Sequence, residues 1–278
     1  MSRRTVLKGL GASAVGAVLG AGAHGYMYER KRIAVTRETL RVSGLSPDLA
    51  GLRVGFLTDL HRSDTVTHEM AASAVHLLMA ERPDIIMLGG DYVTWGGGPD
   101  RRFVAAAAEA LAPLSAPHGV FAALGNHDDA REMPAALKSH GIEVLKDART
   151  RLHIKGESLD IAGIQFWTRR IVDIERVVRG ASTNLVLLAH NPSRLPEAAA
   201  LAIPLVLSGH THGGQIVLPG LGAIAAREFP VIAGSERRNI TTIFVSRGVG
   251  TVYIPVRLNC PPEVALLTLE PVESFNAR

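Results

Sequence analysis

The sequence predicts a protein of the α/β class. Apolar runs of strand length alternate with segments of helical periodicity over most of the 278 residues. Several of these runs stop at Asp, Asn or His, residue types that bind metal ions. A hydrophobic content of 47% is enough for a sizeable core and argues against disorder. We therefore expect a folded α/β unit whose polar side chains gather where its strands end.

The individual elements follow from periodicity. Helices are predicted where apolar residues recur three or four positions apart, as Met70, Ala74, Leu77 and Leu78 do. Strands are predicted at short apolar runs bounded by turn residues. The predicted strands span residues 33–42, 52–58, 84–88, 119–124, 142–145, 151–154, 159–164, 184–189, 203–207, 240–245 and 263–269, and the predicted helices span 67–80, 101–114, 130–140, 171–178 and 195–200.

These elements predict a single folded domain over residues 51–270, since no long linker or internal repeat divides them. Residues 24–50 are interpreted as a connector and an initial strand. Residues 271–278 are interpreted as a C-terminal tail, and residues 1–23 as a signal segment.

The signal interpretation rests on paired arginines followed by a weakly apolar run. Arg3 and Arg4 precede Lys8 and a Gly/Ala/Val/Leu-rich stretch, a pattern that resembles a twin-arginine export signal. Residues 21–23, Ala-Gly-Ala, fit a cleavage site. We expect export by the twin-arginine machinery to the periplasm or cell envelope. The alternative is that the segment stays uncleaved and anchors the chain in a membrane.

Charge and cysteine content exclude several classes of function. The net charge is +4, but 27 basic and 26 acidic residues remain without residues 1–23, so the body gives no case for nucleic-acid binding. Cys260 is the sole cysteine, which excludes an internal disulfide, a cysteine-cluster zinc site and iron–sulfur ligation. A metal site here must use nitrogen and oxygen ligands.

The segment after the run 203–207 contains His210 and His212, followed by two glycines. In extended backbone, residues two apart point the same way, so both imidazoles can reach one point. Such a pair alone is more often part of a surface loop than a metal site.

Four other predicted strands end in similar side chains, and strand ends converge on one edge in α/β sheets. The set exceeds the four or so ligands of a single zinc, which argues for two metals. Asp91 suits a bridge between them, as the single candidate on its strand. The candidates are Asp59, His61, Asp91, Asn126, His127, His190, His210 and His212.

In order and approximate spacing, these motifs resemble those of the calcineurin-like metallophosphoesterases. The resemblance implies two packed mixed β-sheets flanked by helices, in four layers, α/β/β/α. It also implies ligand sets. The first metal would be held by Asp59, His61, Asp91 and His212, and the second by Asp91, Asn126, His190 and His210. His127 would instead face the scissile phosphate and assist the leaving group.

The chemistry implied is hydrolysis of a phosphodiester, phosphomonoester or pyrophosphate by attack of a metal-bound hydroxide. Nitrogen and oxygen ligands suit Mn, Fe or Zn. The C-terminal motifs at 247–250, 255–258 and 260–263 are similar to those of exported or membrane-associated bacterial phosphohydrolases. Two alternatives stay open. One is hydrolysis of a UDP-2,3-diacylglucosamine-type lipid pyrophosphate, and the other is a non-catalytic exported protein that binds metal or the envelope.

One position departs from the family pattern. Thr94 stands where many relatives have an aspartate that orients the catalytic histidine. Asp128 or another carboxylate could substitute. Arg62 is considered as a phosphate contact or a surface residue, and Arg257 as an ion-pair partner or a substrate contact. Cys260 is interpreted as a buried small residue.

Overall fold

The computed structural model describes residues 2–94, 101–223 and 225–272, so residues 273–278 of the predicted tail lie outside the description. Its α-helices are α1 Arg3–Met27, α2 His68–Ala80, α3 Val104–Leu111, α4 Glu132–Lys138, α5 Ile171–Val178 and α6 Leu195–Ala200. Its strands are β1 Ala34–Val42, β2 Leu52–Leu57, β3 Ile85–Leu88, β4 Val120–Ala122, β5 Glu143–Val144, β6 Ala148–Ile154, β7 Glu157–Ile164, β8 Leu185–Ala189, β9 Leu205–Ser208, β10 Val217–Leu218, β11 Gly222–Ala223, β12 Gly234–Arg238, β13 Thr241–Val245 and β14 Glu263–Pro271.

Most strands belong to two six-stranded mixed sheets. The first has the order β1-β14-β2-β3-β4-β5, with β14 antiparallel to β2 and the other pairs parallel. The second has the order β12-β13-β9-β8-β7-β6, with parallel pairs in its centre and an antiparallel pair at each edge. Strands β10 and β11 form a small separate ribbon. The predicted α/β class with two mixed sheets is confirmed.

The two sheets pack face to face and helices cover their outer faces. Phe56 on β2 and Phe244 on β13 meet edge to face between the sheets, with ring centroids 6.2 Å apart. Helices α2, α3 and α4 share a buried cluster with the first sheet, and α5 and α6 share one with the second. Each sheet is therefore buried on both faces, which explains why its central strands read as continuous apolar runs.

The initial strand has a partner from the far end of the sequence. β1 pairs in parallel with β14, from Ala34 opposite Glu263 to Val42 opposite Pro271. The initial strand that the sequence predicts within residues 24–50 thus forms an edge of the first sheet. The short strands β10, β11 and β12 were not predicted.

Helix α1 projects from this body. Its side chains at residues 3–5 and 7–20 are exposed. Residues Arg3–Lys31 have the length and apolar composition of a membrane span, with a mean hydropathy of 1.5 in the most apolar window. Contact with the body begins at Gly25, which is buried, and continues at Glu29 and Arg30.

The fold positions a site through its strand order. β2, β3 and β4 run parallel in the first sheet, and β8 and β9 run parallel in the second. Their carboxyl ends therefore lie at the same edge of the packed sheets. The segments that follow these five strands carry all eight candidate site residues.

Candidate metal centre

The structure brings Asp59, His61 and His212 together. Their ligand-capable atoms all lie within 4.8 Å of one another, and the side chains are buried. The two Nε2 atoms of His61 and His212 are 3.1 Å apart. Asp59 Oδ1 lies 3.5 Å from Nε2 of His212 and 3.9 Å from Nε2 of His61. This group could hold one metal ion.

A second group consists of Asp91, His190 and His210, whose ligand-capable atoms also lie within 4.8 Å of one another. Nε2 of His190 lies 3.1 Å from Oδ2 of Asp91. The same Asp91 oxygen lies 3.6 Å from Nε2 of His61 in the first group. Asp91 therefore stands between the two groups, where a bridging carboxylate would be required.

The hydrogen bonding of the buried donor atoms also agrees with metal binding. Oδ1 of Asn126 is buried and has no hydrogen-bond partner among the described residues, and the buried Nε2 of His190 faces the Asp91 carboxylate at 3.1 Å. Nδ1 of His190 lies 2.8 Å from the carbonyl oxygen of Gly89, which can only accept, so the proton sits on Nδ1. Nε2 could then bind a metal ion in place of a proton, and the carbonyl fixes the orientation of the ring.

Five of these candidate ligands lie in left-handed backbone. Their φ angles are +52° at Asp59, +49° at His61, +56° at Asp91, +71° at His210 and +52° at His212. This conformation costs about 1–2 kcal/mol for a residue with a Cβ atom, and such strain clusters at functional sites. The rest of the fold therefore holds these side chains in directions that a relaxed backbone would not give.

Two glycines permit the close approach of the loops. A Cβ atom on Gly125 would overlap the carboxylate of Asp91, and one on Gly209 would overlap the carboxylate of Asp59. Gly125 directly precedes the candidate ligand Asn126, and Gly209 directly precedes the candidate ligand His210. Glycine is therefore required at Gly125, where two loops of the first sheet approach each other, and at Gly209, where a loop of the second sheet approaches one of the first.

Backbone donors orient both carboxylates. The N–H of His127 donates to Oδ1 of Asp91 at 2.8 Å, which leaves Oδ2 facing the imidazoles. The N–H of His210 donates to the carboxylate of Asp59 at 3.0 Å, and the Thr58 hydroxyl donates to Oδ2 at 2.8 Å. Thr58 is a site residue that sequence reasoning missed, because a threonine at the end of an apolar run looks like an ordinary strand residue.

The Asp128 carboxylate holds the backbone of the two loops that follow β3 and β4 through hydrogen bonds. One of its oxygens accepts the N–H groups of Asp91 and Gly125, and the other accepts that of Tyr92, each at 2.8 Å. These contacts differ from the role considered for Asp128 as a carboxylate that orients His127. The Thr94 hydroxyl lies 3.4 Å from Nδ1 of His61, so this position contacts a candidate ligand.

His127 lies beside the groups and lines the same cavity. Its Nε2 atom is 4.0 Å from Oδ2 of Asp91, and its ring meets that of His61 edge to face at 4.9 Å. The side chain is 7% exposed and borders the open space over Asp91 and His210. It is thus placed to meet a substrate bound there.

Burial and mutual charge set the electrostatics of the centre. Burial raises the pKa of Asp59 to about 6 and lowers the pKa of His61 and of His210 to about 3. Burial also opposes charge on His190, but the carboxylates of Asp91 and Asp59 outweigh it and raise its pKa to about 10. The centre thus attracts positive charge, which a bound metal ion would supply in place of the proton on His190.

Arg257 is fully buried beneath this centre. Its guanidinium donates to the carbonyl oxygens of Arg247, Gly248, Gly250 and Cys260, at 2.5–3.2 Å. It therefore holds the loop behind His212, and within the described part of the chain it neither forms an ion pair nor lines the groove over the centre. The buried Cys260 thiol donates to the carbonyl oxygen of His212 at 3.2 Å.

Arg62 also serves its own loop. Its guanidinium donates to the carbonyl oxygens of Ser63 and Val66 and stacks over Phe103, with Cζ 5.0 Å from the ring centroid.

A groove of about 610 Å³ opens at the centre. Asp91, Asn126, His127, His210 and His212 line one end of it. The remaining lining is mainly apolar, and the Phe229 ring contacts His210 at a centroid distance of 5.2 Å. Sequence reasoning did not place these apolar residues, since nothing in their local pattern sets them apart from core residues.

Comparison with known proteins agrees with this geometry. Residues 52–214 match the model of the calcineurin-like phosphoesterase family. The chain is 31% identical to the uncharacterized metallophosphoesterase YkuE of Bacillus subtilis, over 97% of this chain and 98% of that protein. It is 32% identical to the phosphodiesterase YaeI of Escherichia coli, over 82% and 86%. It is 30% identical to a transmembrane protein with a metallophosphoesterase domain of Danio rerio, over 82% of this chain and 55% of that protein. The chain belongs to the calcineurin-like phosphoesterase family, and it is a hydrolase that acts on phosphoric esters.

Proposed function

We propose that the protein hydrolyses a phosphodiester at a centre of two divalent metal ions. Asp59, His61 and His212 would hold the first ion, and Asn126, His190 and His210 the second, with Asp91 shared between them. The observation that carries the proposal is the pair of ligand groups on either side of one Asp91 oxygen, 3.6 Å from His61 and 3.1 Å from His190. The similarity to the phosphodiesterase YaeI of Escherichia coli favours a diester over a monoester.

The bound metals would activate water and offset charge on the phosphoryl oxygens. The protein's own backbone orients the carboxylate that the two ions would share. The N–H of His127 fixes one Asp91 oxygen and leaves the other to face both ligand groups. The side chains of Asp59, His61 and Asp91 are buried and preorganised, so their electrostatic effects are stronger than they would be in water.

His127 would act on the leaving group. Its ring lies beside Asp91 and borders the groove, so it can donate a hydrogen bond or a proton to the departing oxygen. The neutral amide oxygen of Asn126 adds a ligand without adding negative charge, which preserves the attraction of the centre for an anionic ester.

Metal analysis coupled to a substrate panel tests this function. The protein is stripped with a chelator, loaded with Mn²⁺, Fe²⁺ or Zn²⁺, and assayed with bis(4-nitrophenyl) phosphate and 4-nitrophenyl phosphate. We expect about two ions per chain and faster turnover of the diester. Protein that carries two ions but hydrolyses neither ester would overturn the proposal. His153→Ala, an exposed histidine far along the chain from the site residues, serves as the control.

We also propose export through the twin-arginine pathway. Arg3 and Arg4 lie at the exposed start of α1, and the apolar helix follows them. Replacement of both by lysine should leave a reporter fusion in the cytoplasm, whereas replacement of Lys31, beyond the helix, should not. Unchanged export of the double variant would refute this route.

A further inference from the structure

The groove beside the metal centre has a chemical character that the proposed phosphodiesterase activity does not require. Away from the candidate ligands, its lining consists largely of Ile216, Ala225, Ala226, Phe229, Val252 and Ile254. Glu228 is the one charged side chain there, apart from the centre itself, among the described residues. A nucleotide or sugar substituent would need polar partners in such a groove, whereas a hydrocarbon substituent would not.

The rim of this groove exposes apolar surface to solvent. Tyr253 is 94% exposed and Ile254 is 51% exposed. Tyr253 also lies in left-handed backbone, with φ of +61°. The rim is nonetheless held to the site, because the Gln215 side chain accepts from the N–H of Val252 at 2.9 Å and donates to the carbonyl oxygen of Ile254 at 2.8 Å. An apolar surface held in this way is typical of a binding site for a lipid or another apolar partner.

The same segment meets the last turn of α1. The N–H of Arg257 donates to the carbonyl oxygen of Gly25 at 3.4 Å, and a Cβ atom on Gly25 would overlap Val256 and Arg257. Arg257 follows Ile254 by three positions, so their Cα atoms lie within about 11 Å of each other, and Arg257 contacts the last turn of α1.

This junction is fixed by buried polar contacts. Glu29 accepts from the N–H of Cys260 at 2.7 Å, and Arg30 donates to the carbonyl oxygen of Thr65 at 2.9 Å. Both Glu29 and Arg30 are buried. Lys31 and Arg32, which come next, are exposed at the height where lipid phosphates would lie if α1 crossed a membrane. The body is therefore not loosely tethered to its helix, and its orientation relative to the helix is set.

We infer that the groove holds the hydrocarbon chain of a membrane phosphoester, and that the 252–254 rim sits against the lipid surface into which α1 inserts. This inference rests on the proposed phosphodiesterase function, since it names the substrate class of that same centre. The phosphate lies at the candidate ligands and its apolar substituent extends past Ile216 and Ile254 towards the rim. Hydrolysis adds water across the P–O bond and gives an alcohol or phenol and a phosphomonoester.

A homologous substrate pair tests the groove. Full-length, Mn²⁺-loaded protein in one nonionic detergent is assayed with ethyl and with dodecyl 4-nitrophenyl phosphate. We expect kcat/KM to be at least about tenfold higher for the dodecyl ester, since a few buried methylenes suffice for such a preference. Tyr253→Asp and Ile254→Asp should bring the ratio of the two values towards one. Ile240→Asp, at an exposed position between β12 and β13, should leave the ratio at the wild-type value.

A failure of this inference can be distinguished from a failure of the proposed phosphodiesterase function. Tyr253 is almost fully exposed and its left-handed φ suits Asp, so this variant should fold normally. Equal rates for both esters, or a dodecyl preference that survives in both rim variants, would overturn the inference while the phosphodiesterase function stands. Hydrolysis of neither ester would remove the proposed function instead.

A second measurement addresses the membrane surface without catalysis. A fluorophore is attached to Tyr253→Cys or to Ile240→Cys in protein reconstituted into phosphatidylcholine vesicles that contain brominated lipid. The native Cys260 is buried and should label poorly. We expect strong quenching at position 253 and little at position 240. Quenching at position 253 that is no stronger than at position 240 would refute this part of the inference.

Discussion

Nε2 of His190 lies 3.1 Å from Oδ2 of Asp91, while Nδ1 of the same ring lies 2.8 Å from the carbonyl oxygen of Gly89. One imidazole thus contacts both the carboxylate and the backbone of a single strand-end loop. Since His190 follows β8 and Asp91 follows β3, this ring joins the two sheets at the centre. The centre therefore depends on the correct packing of one sheet on the other.

The first prediction separates the two histidines of the 210–212 segment. His210→Ala and His212→Ala should each retain about one metal ion per chain, because each removes a ligand from a different group. Activity should fall at least about 100-fold in both, as loss of even an indirect metal contact costs 10–100-fold. Elemental analysis by mass spectrometry measures the ions, and His153→Ala is the control. Complete loss of metal from either single variant would contradict a two-ion centre.

The second prediction concerns His127. His127→Ala should keep both ions, since no ligand is removed, but should lower kcat about 10²–10⁴-fold for a diester with an alkoxide leaving group. The loss should be much smaller for a nitrophenolate, which needs little help to depart. A steady-state comparison across leaving groups measures this difference. An equal loss for all leaving groups would show that His127 has another role.

Asp128 should contribute to stability through the loops. Asp128→Asn replaces one of the two acceptor oxygens by an NH2 group, so at least one of the backbone N–H groups of Asp91, Tyr92 and Gly125 loses its acceptor. We expect the free energy of unfolding to fall by about 2 kcal/mol in the metal-free protein. Urea titration measures it, and Asp129→Asn, at a less buried loop position, should cost about 1 kcal/mol or less. An equal change in the two variants would argue against the bracing role.

Asp160 should make stability depend on pH. Burial opposes its charge, but hydrogen bonds from Arg151 and the N–H of Ser182 and contact with Arg149 outweigh burial and lower its pKa to about 2. A carboxyl whose pKa is lower in the folded protein stabilises it above its unfolded value of 3.8 and loses that effect as pH falls towards 2. Asp160→Asn should therefore cost about 2 kcal/mol at pH 7 and progressively less below pH 4.

Unfolding at pH 7, 5 and 3 measures this dependence. Asp173→Asn, on the exposed surface of α5, should change stability by less than about 1 kcal/mol at every pH. A difference between wild type and Asp160→Asn that persists unchanged to pH 3 would contradict the assignment.

The junction with α1 predicts the effect of truncation. A chain that starts at residue 24 keeps the contacts of Gly25, Glu29 and Arg30. The free energy of unfolding of its folded domain should therefore equal that of the same domain in the full-length protein. A chain that starts at residue 33 leaves the buried N–H of Cys260 without its acceptor and should be less stable by about 2 kcal/mol. Equal stability of the two would show that the junction is dispensable.

Local patterns in the sequence predict most of the fold. The helix at Ile171–Val178 and that at Leu195–Ala200 match their predicted bounds, because apolar spacing is a local property. The pairing of β1 with β14 was not predicted, since no local signal joins strands more than two hundred residues apart in sequence. The strand Gly234–Arg238 was missed because its residues are exposed and charged.

The residues of the candidate site likewise divide into those that the sequence predicts and those that it does not. All eight candidate residues lie together, because each follows an apolar run whose strand direction could be inferred. Arg257 was misjudged, since a charged side chain is rarely fully buried unless carbonyl oxygens surround it, and that arrangement is set by tertiary structure. The apolar groove likewise depends on segments that meet only after folding.

The left-handed backbone at Asp59, His61, Asp91, His210 and His212 has a consequence for laboratory evolution. Glycine adopts this conformation without the steric penalty, so glycine at these positions would relieve local strain while it removed a ligand. A library of this protein selected for heat resistance alone, in the presence of a chelator, should accumulate glycine and asparagine there. The candidate metal centre would then be lost through selection for the stability of the fold that supports it.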